Sequence, residues 1–523
     1  MKKLFRIFLF FVSIVCATKL QASNCVLAGS TIALTRQSEV DSFPINYPGC
    51  DTIEGSLVIS GNDIVNLNGL IGIKKVIYQL EIKNNPSLVN FNGLNTLKSA
   101  EILYVSNNNS LLNFLGLDNL EKVTSRFYVN SNDLLINFNG LNKLDSVVDF
   151  YIEGNSRLLN LKGLENLDYV YNFSIRVNNS LTNLNGLTNL KKIASSFYIV
   201  SNASLIDFTG INSLNEVYAL NIHDNPSIIN LNGFQTLSKL DNFYIVSNAS
   251  LLNFYGFDNI ITTHNHCRIQ GNSSLINFYG LNNWRIMSTG VLTIADNPSI
   301  INLQGLNNLE STGSLEIRGN AKLKNLEGIN KLNTMSALQS LNDISITYNP
   351  ELCNINDLND SLITNNLLLY IHTNPKLSCC NKISSILDKS RGNFSDIGVY
   401  NNAPGCNDTT EIRTITTQNC CSTKYTLLKD NICIGEQVIF NNQILKNSGT
   451  YYDTFVSNGN DSIIILELKV FNKSYQIKTL NFCIGQSFTL SNGRTITTTG
   501  IYKDTIPNFC DSIIEYRLNF LNN

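Results

Sequence analysis

Four histidines, His223, His264, His266 and His372, are all the imidazole the chain carries, and only "HNHC" at 264–267 sets two of them beside a thiol. Two imidazoles and a thiolate are the donor types of a zinc site. Against that, Cys267 falls in a position that Leu or Phe fills in neighbouring segments, where a thiol packs as a small hydrophobe. The packing reading is preferred, and neither metal nor cofactor is expected. Asp207 stands where its counterparts are Asn, which makes it a turn residue rather than a catalytic acid. The sequence holds no paired-carboxylate motif, G-x-S-x-G elbow or phosphate-binding loop. The expectation is a protein without catalytic machinery.

The thirteen cysteines offer a different chemistry. Cys16 lies in "MKKLFRIFLFFVSIVCATKLQAS", where a basic start, a short apolar run and small residues ending at Ala22 give the order of a secretory signal peptide. The apolar run is too short to span a bilayer, and no later segment is long enough. A lipoprotein signal cut at Cys16 is the rival, with Val15 unusually large for such a site. Twelve cysteines then remain, an even number that suits disulfides in an exported chain better than metal ligation. Cys25 and Cys50 bracket the segment before the repeats and read as a staple. Cys353, Cys379, Cys380, Cys406, Cys420 and Cys421 cluster after the repeats, with their connectivity open. A net charge of −2 leaves no basic stripe to neutralise phosphates, which argues against a nucleic-acid partner.

What must position these residues is a repeat. Glycines recur at Gly69, Gly93, Gly116, Gly140, Gly163, Gly186, Gly210, Gly233, Gly256, Gly280, Gly305 and Gly328, at intervals of 23 to 25. So tight a period means a solenoid whose units bury their apolar edges against each other. Eleven residues before the glycine stands Ile or Val, from Ile82 to Ile317. Thirteen before stands Leu, Phe or Cys267, from Leu80 to Leu315. Period two with β-branching marks a strand. A further strand is expected through "SLVNF", and no unit has room for a twelve-residue helix.

Two asparagine columns accompany the glycine. Three residues before it stand Asn90, Asn113, Asn137, Asn160, Asn183, Asn230, Asn253 and Asn277; eight before it runs a second column from Asn85 to Asn320, continued by Asn349 and Asn374. Asn suits turns, and stacked at strand spacing its amide can bond its copy in the next coil. Both columns are therefore read as structural ladders. Twelve coils at about 4.8 Å give a rod of ~55–60 Å.

The frame L-x-I-x-x-N-x-x-L-x-N-(F/L)-x-G-L-x-x-L over roughly residues 51–380 resembles the receptor L domain, a leucine-rich-repeat-like, right-handed β-helix. The resemblance implies an all-β fold, a right-handed β-solenoid of twelve or more coils. The sequence shows no kinase, transmembrane helix or furin-like cysteine-rich stretch, so growth-factor reception is not implied. The segment "CCNKISSILDKSRGNFSDIGVYNNAPGCNDTTEI" reads as a short helix, a strand and a turn. It looks like the C-terminal cap that follows such repeats in secreted bacterial proteins. Two later stretches opening at "CIGEQ" and "CIGQS" align at an offset of 50 and read as two small β modules. They resemble "C-x-G … G-x-Y … (C)DSI" repeats of bacterial surface proteins exported by the type IX route, although that route's C-terminal sorting domain is not visible. Cys483 and Cys510 are candidates to pair within the second module, where Asn460 replaces the equivalent cysteine of the first. The resulting division is 1–22 signal peptide, 23–56 N-terminal cap, 57–378 solenoid, 379–424 disulfide-bearing cap, and modules at 425–472 and 473–523.

One row points outward twelve residues before the glycine: Tyr104, Tyr128, Tyr151, Tyr198 and Tyr244, interrupted by Ser174 and Asn221. Such a row offers stacking surfaces and hydroxyls to a carbohydrate or a protein; alternatively Tyr simply favours exposed strands. A second row, Val89, Leu112, Ile136, Leu159, Ile206, Ile229, Leu252, Ile276 and Ile301, is read as packed inside a bend, and as an interface if exposed. The leading expectation is a secreted or cell-surface adhesion or binding protein that presents its sheet to a glycan or protein. The alternatives are a purely structural envelope component and a carbohydrate-active enzyme; polysaccharide lyases also use β-helices, but with basic residues in a charged groove that this chain lacks.

Overall fold

The computed structural model describes residues 23–25, 29–335, 342–359, 367–389, 394–414, 420, 424–440, 443–446, 449–455, 462–471, 475–483, 486–491, 493–506 and 512–521. The proposed signal segment 1–22, with Cys16, lies outside them, as do Cys421 and Cys510. The chain divides into two compact units, Met1–Gln418 and Asn419–Asn523.

The first unit is a parallel β-solenoid of roughly fourteen turns. The strands of successive turns, with short strands from the two end segments, form an 18-stranded sheet. Lys75–Lys83, Ser99–Ser106, Lys122–Asn130, Ser146–Glu153 and Tyr169–Arg176 follow one another coil by coil. Equivalent residues pair, Phe127 with Phe150 and Phe150 with Phe173. The alternation seen in the sequence is thereby converted into columns. The Ile/Val and Leu/Phe columns are fully buried, each side chain contributing about 1.5–3 kcal/mol by leaving water. Phe127, Phe150, Phe173 and Phe197 stack in file, with ring centroids 4.8, 5.2 and 5.3 Å apart.

The segment "SLVNF" is not a strand. It runs beside its neighbours through single bonds, Phe91 N–H to the Leu115 carbonyl at 2.7 Å and Leu112 N–H to the Val89 carbonyl at 3.1 Å. The turns on either side bend the chain too quickly for a ladder to develop.

The two asparagine columns separate in the structure. The buried ladder is the column eight before the glycine. Asn108 donates its backbone N–H to Asn132 Oδ1 at 3.1 Å and its amide to the Ile82 carbonyl at 2.8 Å. Asn85 to Asn374 repeat this scheme in the interior. The predicted ladder at Asn90, Asn113, Asn137, Asn160, Asn183, Asn230, Asn253 and Asn277 is instead a set of turns within each coil. Each Oδ1 accepts the backbone N–H two residues on, as Asn90 does from Asn92 at 3.0 Å and Asn277 from Tyr279 at 3.1 Å. These side-chain oxygens bond within their own turn, as Asn side chains in turns commonly do.

The glycine register has a steric origin. Gly140 holds φ at 109°, and a Cβ there would run into the Phe114 backbone carbonyl of the preceding coil. Only glycine permits both the backbone angle and the approach.

The sheet begins before the coils read from the repeat. Thr31–Leu34 pairs in parallel with Ser56–Ile59, so part of the predicted cap 23–56 is already a coil. Two short helices, Gln37–Asp41 and Phe43–Asn46, close that end and bury Val40 and Phe43. Cys25 and Cys50 form a disulfide there. At the other end, the helix Asn381–Lys389, the strand Phe394–Tyr400 and the helix Thr409–Thr414 cover the last coil. Cys380 and Cys406 are bonded to each other, and Cys353, Cys379 and Cys420 are also in disulfides.

In the second unit the two modules repeat one topology. Lys424–Cys433 pairs in parallel with Ser462–Phe471, which pairs antiparallel with Gly449–Phe455. Tyr475–Cys483, Ser512–Leu521 and Gly500–Ile506 do the same. Each module has its own small core, around Leu466 and Leu468 in the first and Leu518 in the second. Cys433 is disulfide-bonded. Cys483 carries a free, exposed thiol, and Cys510, the partner expected for it, lies outside the described residues. Among the described residues no helix is long and apolar enough to cross a membrane.

Candidate functional site

The tyrosine row occupies the outward side of the main sheet, between the two inward columns. Tyr104 pairs with Tyr128 and Tyr128 with Tyr151 across adjacent strands. Their rings stack nearly parallel, with centroids 4.6 and 4.4 Å apart and planes 8° off in both pairs. The ring of Tyr128 is thus covered on both faces, and all five tyrosines are half-buried. The sequence suggested open stacking platforms; the coil spacing instead lets Tyr104, Tyr128 and Tyr151 use one another as platforms. What the row presents outward is ring edges and hydroxyls.

Burial pushes the hydroxyl pKa of Tyr128, Tyr151 and Tyr244 above the usual tyrosine range. The neighbouring rings add to this for Tyr128, and Asp149 adds to it for Tyr151. These three hydroxyls are therefore un-ionised at neutral pH and can both donate and accept hydrogen bonds. Tyr198 is paired differently: the Arg176 guanidinium lies over its ring, 5.1 Å from the centroid, a cation–π contact. Arg176 sits two residues beyond Ser174, on the same outward face. Its place follows from the chain register once the strand is fixed, although a search along one column overlooks it.

At the two breaks in the row, Ser174 and Asn221 are themselves buried between larger neighbours. Beside them His223 is half-buried, and burial lowers its pKa; the charges of Arg176 and Arg268 act in the same direction and Asp224 opposes them. Beyond Tyr244 the row continues as Arg268, Thr293 and Glu316. Glu316 accepts from the Thr293 hydroxyl at 3.0 Å and from Arg318 Nε at 2.8 Å. The outward face therefore changes along its length from aromatic to ion-paired.

The residues of "HNHC" do not converge. His264 Nδ1 faces Asp241 Oδ1 at 3.3 Å, while His266 Nδ1 accepts the Val291 N–H at 3.1 Å. Cys267 is fully buried in the Leu/Phe column, its thiol 3.5 Å from Thr263 Oγ1, and burial pushes its pKa up to about 12. Among the described residues no three His, Cys, Asp or Glu side chains gather as a metal-binding set. His372 lies far along the sheet, stacked on Tyr400 at 4.5 Å. Asp207 caps its own turn, accepting the Thr209 N–H at 3.0 Å.

The second outward row is placed differently from the sequence reading. Val89, Leu112, Ile136, Leu159, Ile206 and Ile229 are exposed rather than folded into a bend, and Val65 extends the series at its start. Leu252, Ile276 and Ile301 are half-buried. The turn made by the following Asn carries the Phe or Leu after it inward, which forces the residue before it out.

No family model matches the chain, and no curated protein matches it. Among solved structures, a leucine-rich repeat protein from Bacteroides ovatus is similar at 14% identity, over 65% of this chain and 82% of that chain, with a TM-score of 0.17.

Proposed function

We propose that this chain is a secreted or cell-surface, non-catalytic binding protein that presents the tyrosine-bearing sheet face of its solenoid to a partner. The two C-terminal β modules serve as spacers or anchors. The observation that carries this reading is the stacked row Tyr104–Tyr128–Tyr151, a rigid strip of aromatic edges and hydroxyls on an outward sheet. Tyrosine gives large contact area with little conformational entropy to lose. Because the faces of Tyr128 are covered, the strip suits a protein surface better than a sugar ring, which needs an open face. The signal-like N-terminus and the disulfides support an extracellular setting.

The test is capture of surface proteins and probing of a glycan array, with the wild-type chain and with Tyr128→Ala and Tyr151→Ala. Binding of a protein ligand that weakens at least tenfold in the variants supports the proposal. Binding that is unchanged in both variants, or turnover of a polysaccharide by the wild type, overturns it.

A further inference from the structure

The exposed aliphatic row forms a ridge that runs from Val65 to Ile229 and is broken only by Thr182. Its members are between 36% and 53% exposed, in successive coils. The backbone beneath is fixed: Ile136 N–H bonds the Leu112 carbonyl at 3.0 Å, Leu159 N–H the Ile136 carbonyl at 3.0 Å, and Ile229 N–H the Ile206 carbonyl at 3.2 Å. The ridge is thus preorganised, and covering it costs little ordering entropy.

We propose that this ridge is the contact face of a two-fold, antiparallel dimer of the chain. Three properties select a second copy. The first is period. Coil-to-coil hydrogen bonding sets the ridge spacing at about 4.8 Å. A docked α-helix repeats every ~5.4 Å and falls out of step by roughly 4 Å over seven intervals. A second solenoid carries the same spacing, so its side chains seat between those of the first along the whole ridge, as in a dry zipper. Reversal about a two-fold axis makes the contact closed rather than filament-forming.

The second property is charge. The row two residues before the ridge is mostly serine, as at Ser87, Ser110, Ser180 and Ser204, and the row after it is asparagine. Along the ridge from Val65 to Ile229 these immediate flanks hold one cation, Arg157, and two anions, Asp63 and Asp207. Two copies brought together meet without a like-charge barrier. The third is area. The aliphatic surface is on the order of 500 Å², at the top of what a monomer ordinarily exposes in one patch. With its polar flanks the strip reaches the roughly 800 Å² per partner of a standard interface. The ridge and the tyrosine row are distinct, so a dimer leaves both binding faces free and makes the protein bivalent.

Sedimentation velocity of the mature chain tests this. The wild type is expected at twice the chain mass at micromolar concentration, and Leu112→Lys/Ile136→Lys at the chain mass, with an unchanged circular dichroism spectrum. A second variant, Ile136→Thr/Leu159→Thr, copies the residue that nature placed at Thr182 and guards against misfolding; it is expected to raise the dimer dissociation constant at least 100-fold. A wild type that sediments as a single chain at 100 µM (about a hundredfold above that range) overturns the proposal, as do threonine variants that remain dimeric. Adsorption of a monomeric wild type to phosphatidylethanolamine–phosphatidylglycerol vesicles, lost in the variants, would assign the ridge to lipid and also overturn it. Partner capture through Tyr128 and Tyr151 is independent of every one of these outcomes.

Discussion

The side-chain carbonyl of Asn155 accepts two bonds from Asn132 in the preceding coil, from the backbone N–H at 3.1 Å and from the amide at 3.2 Å. Its own amide donates to the carbonyls of Val129 and Glu153, at 2.9 and 3.2 Å. One buried side chain therefore satisfies backbone groups in two coils and passes the arrangement on.

Replacing Asn155 by Ala strands these buried groups, each at about 1–3 kcal/mol. Asn155→Ala should lower stability by about 3–5 kcal/mol, whereas Asn137→Ala, which loses only an exposed turn bond to Asn139, should cost about 1 kcal/mol. Urea denaturation followed by circular dichroism checks the order; equal losses would contradict the distinction between the two columns.

Two neighbouring glycines separate steric from conformational need. Gly140→Ala meets the Phe114 carbonyl and should abolish soluble expression or lower the melting temperature by more than about 10 °C, the order expected of a loss of several kcal/mol. Gly154 has φ 66°, and a Cβ there would meet nothing closer than Ser131 Oγ at 3.7 Å. Gly154→Asn should therefore be tolerated within about 1 kcal/mol, since Asn84 and Asn107 already occupy the equivalent place at φ 55° and 54°. Thermal melts of the two proteins decide this.

Val177 holds φ 55° in that same row, where a β-branched residue is strained. Val177→Asn should stabilise the chain by about 1 kcal/mol, measured as a rise in the urea midpoint.

Asp343 has Oδ1 buried with no hydrogen-bond partner among the described residues. Burial, with the charge of Glu316 added, raises its pKa to about 6. The folded state then binds more protons than the unfolded state between about pH 4 and 6, so stability falls as pH rises through that window. The loss should be on the order of 2 kcal/mol, and Asp343→Asn should remove it. Stability measured below and above that window in both proteins tests the sign.

Thiol labelling should separate Cys267 and Cys483, the free cysteines among the described residues. Iodoacetamide should modify Cys483 in the native protein and spare Cys267, whose thiol burial keeps neutral and out of reach. Peptide mass spectrometry reads both sites, and modification of Cys267 without unfolding would show that its column opens.

The sequence alone determined the solenoid, because a glycine every 23 to 25 residues with fixed apolar columns admits no other way to bury those columns. It also put Cys267 in the inward column and the tyrosine row on the outward face, since strand alternation is a local property. It did not separate the two asparagine columns or expose the Val89–Ile229 ridge. Both lie in turns, where the direction of a side chain follows from the backbone path and not from a period. The left-handed residue before each buried Asn, such as Asn84 or Val177, sets that path. Only the stacked coils decide which amide bonds its neighbour, which ring covers which, and which aliphatic row is left facing water.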